Sequence, residues 1–266
     1  MNTLLDQELS VIEINSINSE HFLLKIGPLL PHFSFNPGQF VMIKAEKNGT
    51  LLRKPFGIVE VEDHTLTLLI KIVGKTTKNL STLKKGDKIQ VLGPLGTGFT
   101  ELQDHNIVIA GGIGIAPLYS LLKEYNPSSK NQTLTVLYGG KSYDHLPLLE
   151  KVYSLHINCS IATEDGSVGH EGFITDLLGE RIVDVKGKKT KLFSCGPRSM
   201  LKAVALFAQK NNCSSELSLE EYMACGTGIC MGCTIKVKEA SSTDSFTYKR
   251  VCVEGPVFNG GDIEWE

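Results

Sequence analysis

The pattern of apolar and polar residues divides the chain into regions with different rhythms. From Glu8 to about Gly98, the chain consists of short runs in which apolar and polar residues alternate or β-branched residues follow one another. Turn sequences such as NPG and KKGD separate these runs. These runs predict six strands: SVIEINSI, HFLLKI, GQFVMIKA, FGIVEVE, TLTLLIKIV and DKIQVLG. Closely spaced strands without a convincing helix favour a closed antiparallel barrel, with a β-sandwich as the alternative.

From Asn106 onward, apolar strand-like runs alternate with helical patterns. NIVIA precedes LYSLLKEY, TLTVLYGG precedes LPLLEKVYSLH, CSIATE precedes FITDLL, and KLFSCG precedes PRSMLKAVALFAQKN. This repetition predicts a Rossmann-like parallel sheet with crossover helices. The remaining segment is rich in cysteine and glycine. We therefore expect three domains, over residues 1–100, 101–215 and 216–266.

Composition and charge narrow the functional classes. The 266 residues are 41% hydrophobic with a formal net charge of −2, which gives no electrostatic reason to expect nucleic acid as a partner. No apolar run reaches the roughly 18 residues of a membrane span. The N-terminal sequence lacks the basic and apolar regions of a signal peptide, so we expect a cytoplasmic protein without a membrane partner. Thiols stay reduced there, and seven cysteines are an odd count, so a disulfide framework is disfavoured.

A glycine-rich turn follows the first strand of the α/β region. Its sequence, GGIGIAP, spans Gly111–Pro117, and proline suits the first turn of the helix that follows. Glycines at a helix N-terminus let backbone N–H groups approach a diphosphate, although a plain tight connection would look the same. Two further strand ends carry glycine, in YGG and CGP, and ligands bind at the carboxyl ends of parallel strands. The predicted nucleotide-binding residues are Gly111, Gly112, Gly114, Pro117, Gly196 and Pro197.

The C-terminal segment carries the most specific chemical signal. Cys225, Cys230, Cys233 and Cys252 have the spacing C-x4-C-x2-C-x18-C. The first three match plant-type [2Fe–2S] ferredoxins, in which a fourth cysteine lies farther along the chain. Structural zinc normally uses two separated C-x2-C pairs, and a nucleophilic thiol needs a base that this loop lacks. The spacing therefore predicts that these four cysteines ligate a [2Fe–2S] cluster.

Taken together, the motifs resemble a known family. GPLGTGF, GGIGIAP, EDGSVGHEGFITD, CGPRSML, EYMACGTGICMGC and CVEGPVF are similar to sequences of the ferredoxin–NADP reductase superfamily, and specifically of the electron-transfer subunits of heteromeric NAD-dependent dihydroorotate dehydrogenases. The resemblance covers nearly the whole chain. It implies a flavin-binding barrel, FAD, NAD and a [2Fe–2S] cluster. It also implies an FMN-containing catalytic partner, with two copies of each chain, and transfer of electrons from dihydroorotate to NAD⁺ in pyrimidine biosynthesis.

The resemblance also assigns individual residues. The family's flavin motif, usually Arg-Pro-aliphatic-Ser, falls on Lys54, Pro55, Phe56 and Gly57, and further flavin contacts fall on Leu69, Ile70, Lys71, Thr76 and Thr77. Cys195 falls where related reductases have a cysteine beside the nicotinamide, which makes it the candidate catalytic residue, although a small residue buried at a strand end is the alternative. Three positions depart from the pattern. Lys54 replaces an arginine fork, Gly57 lacks the serine hydroxyl, and Thr76 replaces a glycine.

Two other functions remain open at the level of sequence. Related NAD(P)H–flavin–cluster modules, such as the small subunit of NADH-dependent ferredoxin–NADP oxidoreductase or a sulfide dehydrogenase, share this layout. The weakened flavin motif would also suit a redox sensor that keeps only the cluster. For the main hypothesis, we expect the partner to bind near the cysteine loop through Tyr222, Met223, Ile229 and Met231.

Overall fold

The first half of the chain forms a closed barrel of six antiparallel strands. The structure, a computed structural model, describes residues 4–45, 51–125, 132–183, 189–239 and 245–265. The barrel strands are β1 (Leu5–Ser16), β2 (His21–Gly27), β3 (Phe40–Ala45), β4 (Lys54–Glu62), β5 (Thr65–Lys71) and β6 (Lys88–Leu95). Their order around the barrel is β1-β2-β5-β4-β3-β6. The predicted barrel is confirmed, and the sandwich alternative is wrong because the sheet closes on itself.

The alternation of residues along these strands explains the closure. Side chains at every second position point inward and form one apolar core. The fully buried members include Leu24, Ile26, Ile58, Leu68 and Ile89. The sequence pattern missed a short helix, α1 (Lys75–Leu80), between β5 and β6. Its six residues are too few to produce a helical period.

The second half contains a mostly parallel sheet with helices between its strands. The strands are β7 (His105–Gly111), β8 (Thr133–Gly140), β9 (Asn158–Thr163), β10 (His170–Glu171), β11 (Thr190–Cys195) and β12 (Ser214–Ser218). The helices are α2 (Ile115–Glu124), α3 (Leu149–Ser154), α4 (Leu178–Val183) and α5 (Arg198–Lys210). The predicted parallel sheet is confirmed. Strand order reverses between β7 and β11, and ligands bind at such a switch point.

The cysteine-rich segment is joined to this sheet. After β12 come the hairpin strands β13 (Thr234–Lys238) and β14 (Phe246–Arg250), and then β15 (Val257–Asn259), which pairs antiparallel with β12. The boundary expected after residue 215 falls within β12. None of the helices in the described ranges has the length and apolar character that a membrane crossing needs.

The cysteine-rich segment also packs against the barrel. Cys233 and Cys252 belong to the same buried apolar cluster as Phe40 and Met42 of β3. A Cβ atom on Gly226 would lie 2.6 Å from the Met42 side chain, so the cysteine loop touches this strand where glycine leaves room. The three parts therefore share one packed interior.

Candidate cofactor sites

A cavity of about 650 Å³ lies between the barrel and the switch point of the sheet, and we call it the barrel cavity. This volume is within the range of small-molecule sites. Eight of the predicted flavin residues line it: Lys54, Pro55, Phe56, Gly57, Leu69, Lys71, Thr76 and Thr77. The ninth, Ile70, has its side chain fully buried in the barrel core. The strand alternation of β5 thus gives Leu69 and Lys71 to the cavity and Ile70 to the barrel.

The flavin motif on β4 contacts helix α2 directly. A Cβ atom on Gly57 would lie 3.3 Å from both Cβ and Cδ of Pro117, which also lines the barrel cavity. The missing serine hydroxyl therefore coincides with a close approach between the barrel and the sheet. Arg53 does not replace the family's arginine, because its Nη2 donates to both carboxylate oxygens of Asp6 at 2.8 and 2.9 Å. Lys54 is the cation of this motif that lines the cavity.

The turn before α1 uses the hydroxyl of Thr77 internally. This oxygen accepts the backbone N–H groups of Val73 at 2.9 Å and Gly74 at 3.1 Å. The contact fixes the start of α1, whose first turn carries Thr76 on the cavity wall. Thr77 therefore shapes the site through the backbone it holds.

A second cavity, of about 610 Å³, lies over the carboxyl ends of the parallel strands, and we call it the sheet cavity. Its lining includes five of the predicted nucleotide residues: Gly111, Gly112, Gly114, Gly196 and Pro197. Most of these glycines are required for packing between strand ends. A Cβ atom on Gly114 would lie 2.2 Å from the Cys195 carbonyl oxygen, and one on Gly111 would lie 2.6 Å from Pro197 Cδ. Gly112 differs. Its φ is +53°, and the atom nearest to its Cβ position is the carbonyl oxygen of His145, 3.7 Å away.

The two cavities meet at three residues that line both, namely Lys71, Ile113 and Glu220. Cys195 lines the barrel cavity beside this junction, and burial raises the pKa of its thiol, which is therefore protonated at neutral pH. Partial desolvation at the cavity wall raises the pKa of the Glu220 carboxyl group, although its side chain stays exposed. The junction is where two ligands, one in each cavity, would come together.

Sequence reasoning missed several residues of these walls. Ser218 is the last residue of β12, and Glu220 lies two residues beyond it. The sequence of this strand, SSELS, has no apolar run. Glu164 and residues 172–175 line the sheet cavity and belong to the EDGSVGHEGFITD motif. The glycines of that motif were the available signal, because they follow β9 at the same edge of the sheet as GGIGIAP.

The four predicted metal ligands lie in two pairs. Cys225 Sγ and Cys230 Sγ are 3.3 Å apart in the loop, whereas Cys233 and Cys252 are buried side by side in the apolar cluster. No three cysteine, histidine or carboxylate side chains in the described ranges converge as a single-metal site would require. Two thiol pairs fit a two-iron cluster, in which each iron takes two protein ligands.

Backbone N–H groups surround the sulfur atoms. Thr227 N and Cys230 N lie 3.4 and 3.5 Å from Cys225 Sγ, and Gly232 N lies 3.5 Å from Cys230 Sγ. Burial opposes ionisation of Cys225, but the N–H groups of Cys230 and Thr227 lower its pKa to about 6. Burial and the neighbouring Cys233 raise the pKa of Cys252 to about 12. The loop thus stabilises thiolate charge on Cys225, whereas Cys252 needs a nearby cation to ionise.

The fold and these sites define a class of protein, an oxidoreductase module with binding domains for a flavin, a nicotinamide nucleotide and an iron–sulfur cluster. Family models match each part: an oxidoreductase FAD-binding domain over residues 6–99, an oxidoreductase NAD-binding domain over 108–206, and the iron–sulfur cluster binding domain of dihydroorotate dehydrogenase B over 220–264. The chain belongs to the family of dihydroorotate dehydrogenase B (NAD(+)) electron transfer subunits, as the following relatives show.

Curated relatives and a solved structure support this assignment. The electron transfer subunit from Caldanaerobacter subterraneus subsp. tengcongensis is 40% identical over 84% of this chain and 85% of its own length. That from Fusobacterium nucleatum subsp. nucleatum is 33% identical over 98% of this chain and 99% of its own length. A solved structure of NADH-dependent reduced ferredoxin–NADP oxidoreductase aligns with a TM-score of 0.82 and 29% identity, covering 97% of this chain and 90% of that one.

Proposed function

We propose that this chain is the electron-transfer subunit of an NAD-dependent dihydroorotate dehydrogenase, which passes electrons from a catalytic partner subunit to NAD⁺ in pyrimidine biosynthesis. The observation that carries the proposal is the meeting of the barrel and sheet cavities at Lys71, Ile113 and Glu220. The names of the relatives supply the reaction. When bound, FAD exchanges electron pairs with a nicotinamide and single electrons with a [2Fe–2S] cluster.

The chain's own residues hold and orient these groups. We infer that Lys54 faces the FAD diphosphate. We also infer that the flavin ring contacts Pro55, Phe56 and Gly57. Leu69, Thr76 and Thr77 complete the wall on which it lies. Gly112 exposes backbone to the nucleotide diphosphate in the sheet cavity. Cys195, a neutral thiol beside the cavity junction, offers an uncharged surface to the nicotinamide. These roles follow from which cavity each residue lines.

We infer that Cys225, Cys230, Cys233 and Cys252 ligate the [2Fe–2S] cluster. The support is the two thiol pairs and the N–H groups around Cys225. The barrel cavity extends to Tyr222 and Met223, three and two residues before Cys225, so flavin and cluster would be near neighbours. We take residues 1–100, 101–215 and 216–266 as the units that hold FAD, NAD and the cluster.

The exposed side of the cysteine loop supports a partner interface there. Tyr222 is 93% exposed and Ile229 is 84% exposed, and Met231 and Val253 add apolar surface nearby. Large apolar side chains grouped in this way are typical of interaction sites. Met223 is partly buried and faces the barrel cavity instead. We propose that an FMN-containing catalytic subunit covers this surface, with two copies of each chain in the complex.

Co-purification tests the proposed function. We expect the chain, expressed with the dihydroorotate dehydrogenase catalytic subunit of its own genome, to form a complex that reduces NAD⁺ with dihydroorotate. The variant Ile229→Lys should weaken complex formation and leave the bound cofactors in place. Leu206→Lys, at an exposed apolar residue on α5, is the matched control and should not affect the complex.

The likeness to NADH-dependent ferredoxin–NADP oxidoreductase favours a second candidate, the small subunit of an enzyme of that type. In that case the chain would bind a different flavoprotein. The complex with the catalytic subunit would not form, and dihydroorotate would not reduce NAD⁺. Either result would overturn the main proposal.

A further inference from the structure

An ion pair lies beside Cys252, the fourth cysteine of the predicted cluster. Arg250, at the end of β14, places its Nε 3.1 and 3.2 Å from the carboxylate oxygens of Glu254, and its Nη2 also contacts that carboxylate. The backbone N–H of Arg250 donates to the same carboxylate at 2.7 Å. Cys252 lies midway between the two residues in sequence, so the pair spans the turn that presents this cysteine.

The same arginine reaches the cysteine loop. Its Nη1 donates to the carbonyl oxygen of Gly228 at 3.2 Å, in the loop between Cys225 and Cys230. A Cβ atom on Gly228 would lie 3.0 Å from Arg250 Nη1 and 2.8 Å from Val253, so only glycine fits with its φ of +83°. The arginine therefore links the turn that presents Cys252 to the loop that carries Cys225 and Cys230.

The charges of the pair lie within electrostatic reach of the sulfurs. Arg250 and Glu254 each lie two residues from Cys252 in the chain, and the guanidinium also contacts Gly228 in the cysteine loop. Both members of the pair are about one-third exposed, so the pair adds little to stability. Charge near an iron–sulfur cluster acts on its reduction potential.

We propose that Arg250 and Glu254 act in opposite directions on the reduction potential of the cluster, so that their effects cancel while the pair is intact. This rests on the proposed function, since it requires the cluster at the four cysteines. One-electron reduction adds one negative charge to the cluster. A nearby cation stabilises the reduced form and a nearby anion destabilises it. Arg250 and Glu254 thus act on the cluster through their charges, and neither residue lines the barrel cavity or the sheet cavity.

The test is a dithionite titration of the purified holoprotein, with the reduced cluster followed by EPR. Glu254→Gln leaves the guanidinium unbalanced and should move the midpoint potential in the positive direction. Arg250→Gln leaves the carboxylate unbalanced and should move it in the negative direction. The double variant should return close to the wild-type value. Lys249→Gln removes the same charge at the neighbouring position, on the opposite face of β14, and should have a smaller effect.

Iron content and a conservative variant separate charge from structure. Arg250→Lys keeps the charge and loses the fork, so its potential should stay near that of the wild type even if the loop contact to Gly228 weakens. Shifts of the same sign in Arg250→Gln and Glu254→Gln, or a shift in Arg250→Lys as large as in Arg250→Gln, would overturn the inference. If Arg250→Gln loses its iron, the other two variants test the inference: Glu254→Gln should still shift the midpoint potential in the positive direction, and Arg250→Lys should leave it near the wild-type value. A wild-type protein without a cluster would instead refute the proposed function.

Discussion

At the scale of single residues, Gly57 joins the flavin motif to the nucleotide-binding helix. A side chain there would press on Pro117 at 3.3 Å, which is closer than most Cβ contacts. Gly57→Ser, the residue usual in the family, should therefore lower the free energy of unfolding by about 1–3 kcal/mol, as overpacking does. Urea denaturation measures this. Gly74→Ser is the control, since its Cβ position has no atom within 4 Å, and it should cost nothing.

Cys230 allows a second prediction at this scale. It is the exposed one of the four proposed ligands, its sulfur lies 3.3 Å from that of Cys225, and it lines neither cavity. Cys230→Ser should remove the cluster spectrum and most of the iron, because serine is a poor substitute for a thiolate ligand. Reduction of the bound flavin by NADH should continue at the wild-type rate. Loss of that reaction along with the iron would mean that the cavities and the cysteine loop do not have separate roles.

At this scale the sequence offered predictions about the chemistry of single residues and none about what surrounds them. Cysteine spacing alone indicated the cluster ligands, because the ligand chemistry imposes the spacing. The flavin positions came from a resemblance, and their neighbours could not be read from the sequence. Arg53 pairs with Asp6, and Glu220 lies at the cavity junction with Lys71 and Ile113. Both arrangements depend on residues far apart in the chain.

At the scale of elements, strand β4 and helix α2 connect the barrel to the sheet. Gly57 and Pro117 meet at one end of this contact, and at the other Lys123 of α2 lies 3.1 Å from Glu60, which Lys151 of α3 also contacts at 2.5 Å. Glu60 is 7% exposed. This ion cluster fixes how the two halves are set against each other, and with them the two cavity walls.

The ion cluster predicts a pH dependence of stability. Burial tends to raise the pKa of Glu60, but hydrogen bonds from Lys151 and Lys123 outweigh it, so the pKa is lowered in the folded state. A lowered folded pKa gives stability that is present above the unfolded value of about 4.3 and lost as pH falls through the folded pKa. Glu60→Gln should lose about 1–3 kcal/mol at pH 7. It should lose less at pH 3.

Denaturation at the two pH values checks this expectation. Glu62→Gln is the matched control, because Glu62 shares Lys123 but is mostly exposed, and its loss should stay below about 1 kcal/mol. Equal losses in Glu60→Gln at pH 7 and pH 3 would show that the carboxylate charge does not act in the folded state.

Elements were predictable from the sequence where their hydrophobic period was long enough. The six barrel strands and the main strand–helix pairs follow the pattern closely. Helix α1, strand β12 and strand β15 did not appear in it. Helix α1 has six residues and β15 has three, and β12 is largely Ser and Glu, so tertiary packing decides their structure.

At the scale of the whole molecule, the fold brings three binding regions together. The cavities share Lys71, Ile113 and Glu220, and the cysteine segment packs on Met42 of the barrel and on β12 of the sheet. The order of the three regions along the chain could be predicted from the sequence. Their contact was not, because it depends on glycines such as Gly226 that let backbone approach side chains over long separations.

The account depends on one chain holding both a flavin and a two-iron cluster. The most direct measurement is the content of iron, acid-labile sulfide and flavin in anaerobically purified wild-type protein, together with its EPR spectrum after reduction. We predict two irons, two sulfides and one FAD per chain, and a signal of a reduced [2Fe–2S] cluster. Protein that is folded but has no stoichiometric iron or sulfide, and no EPR signal after dithionite, would contradict the account.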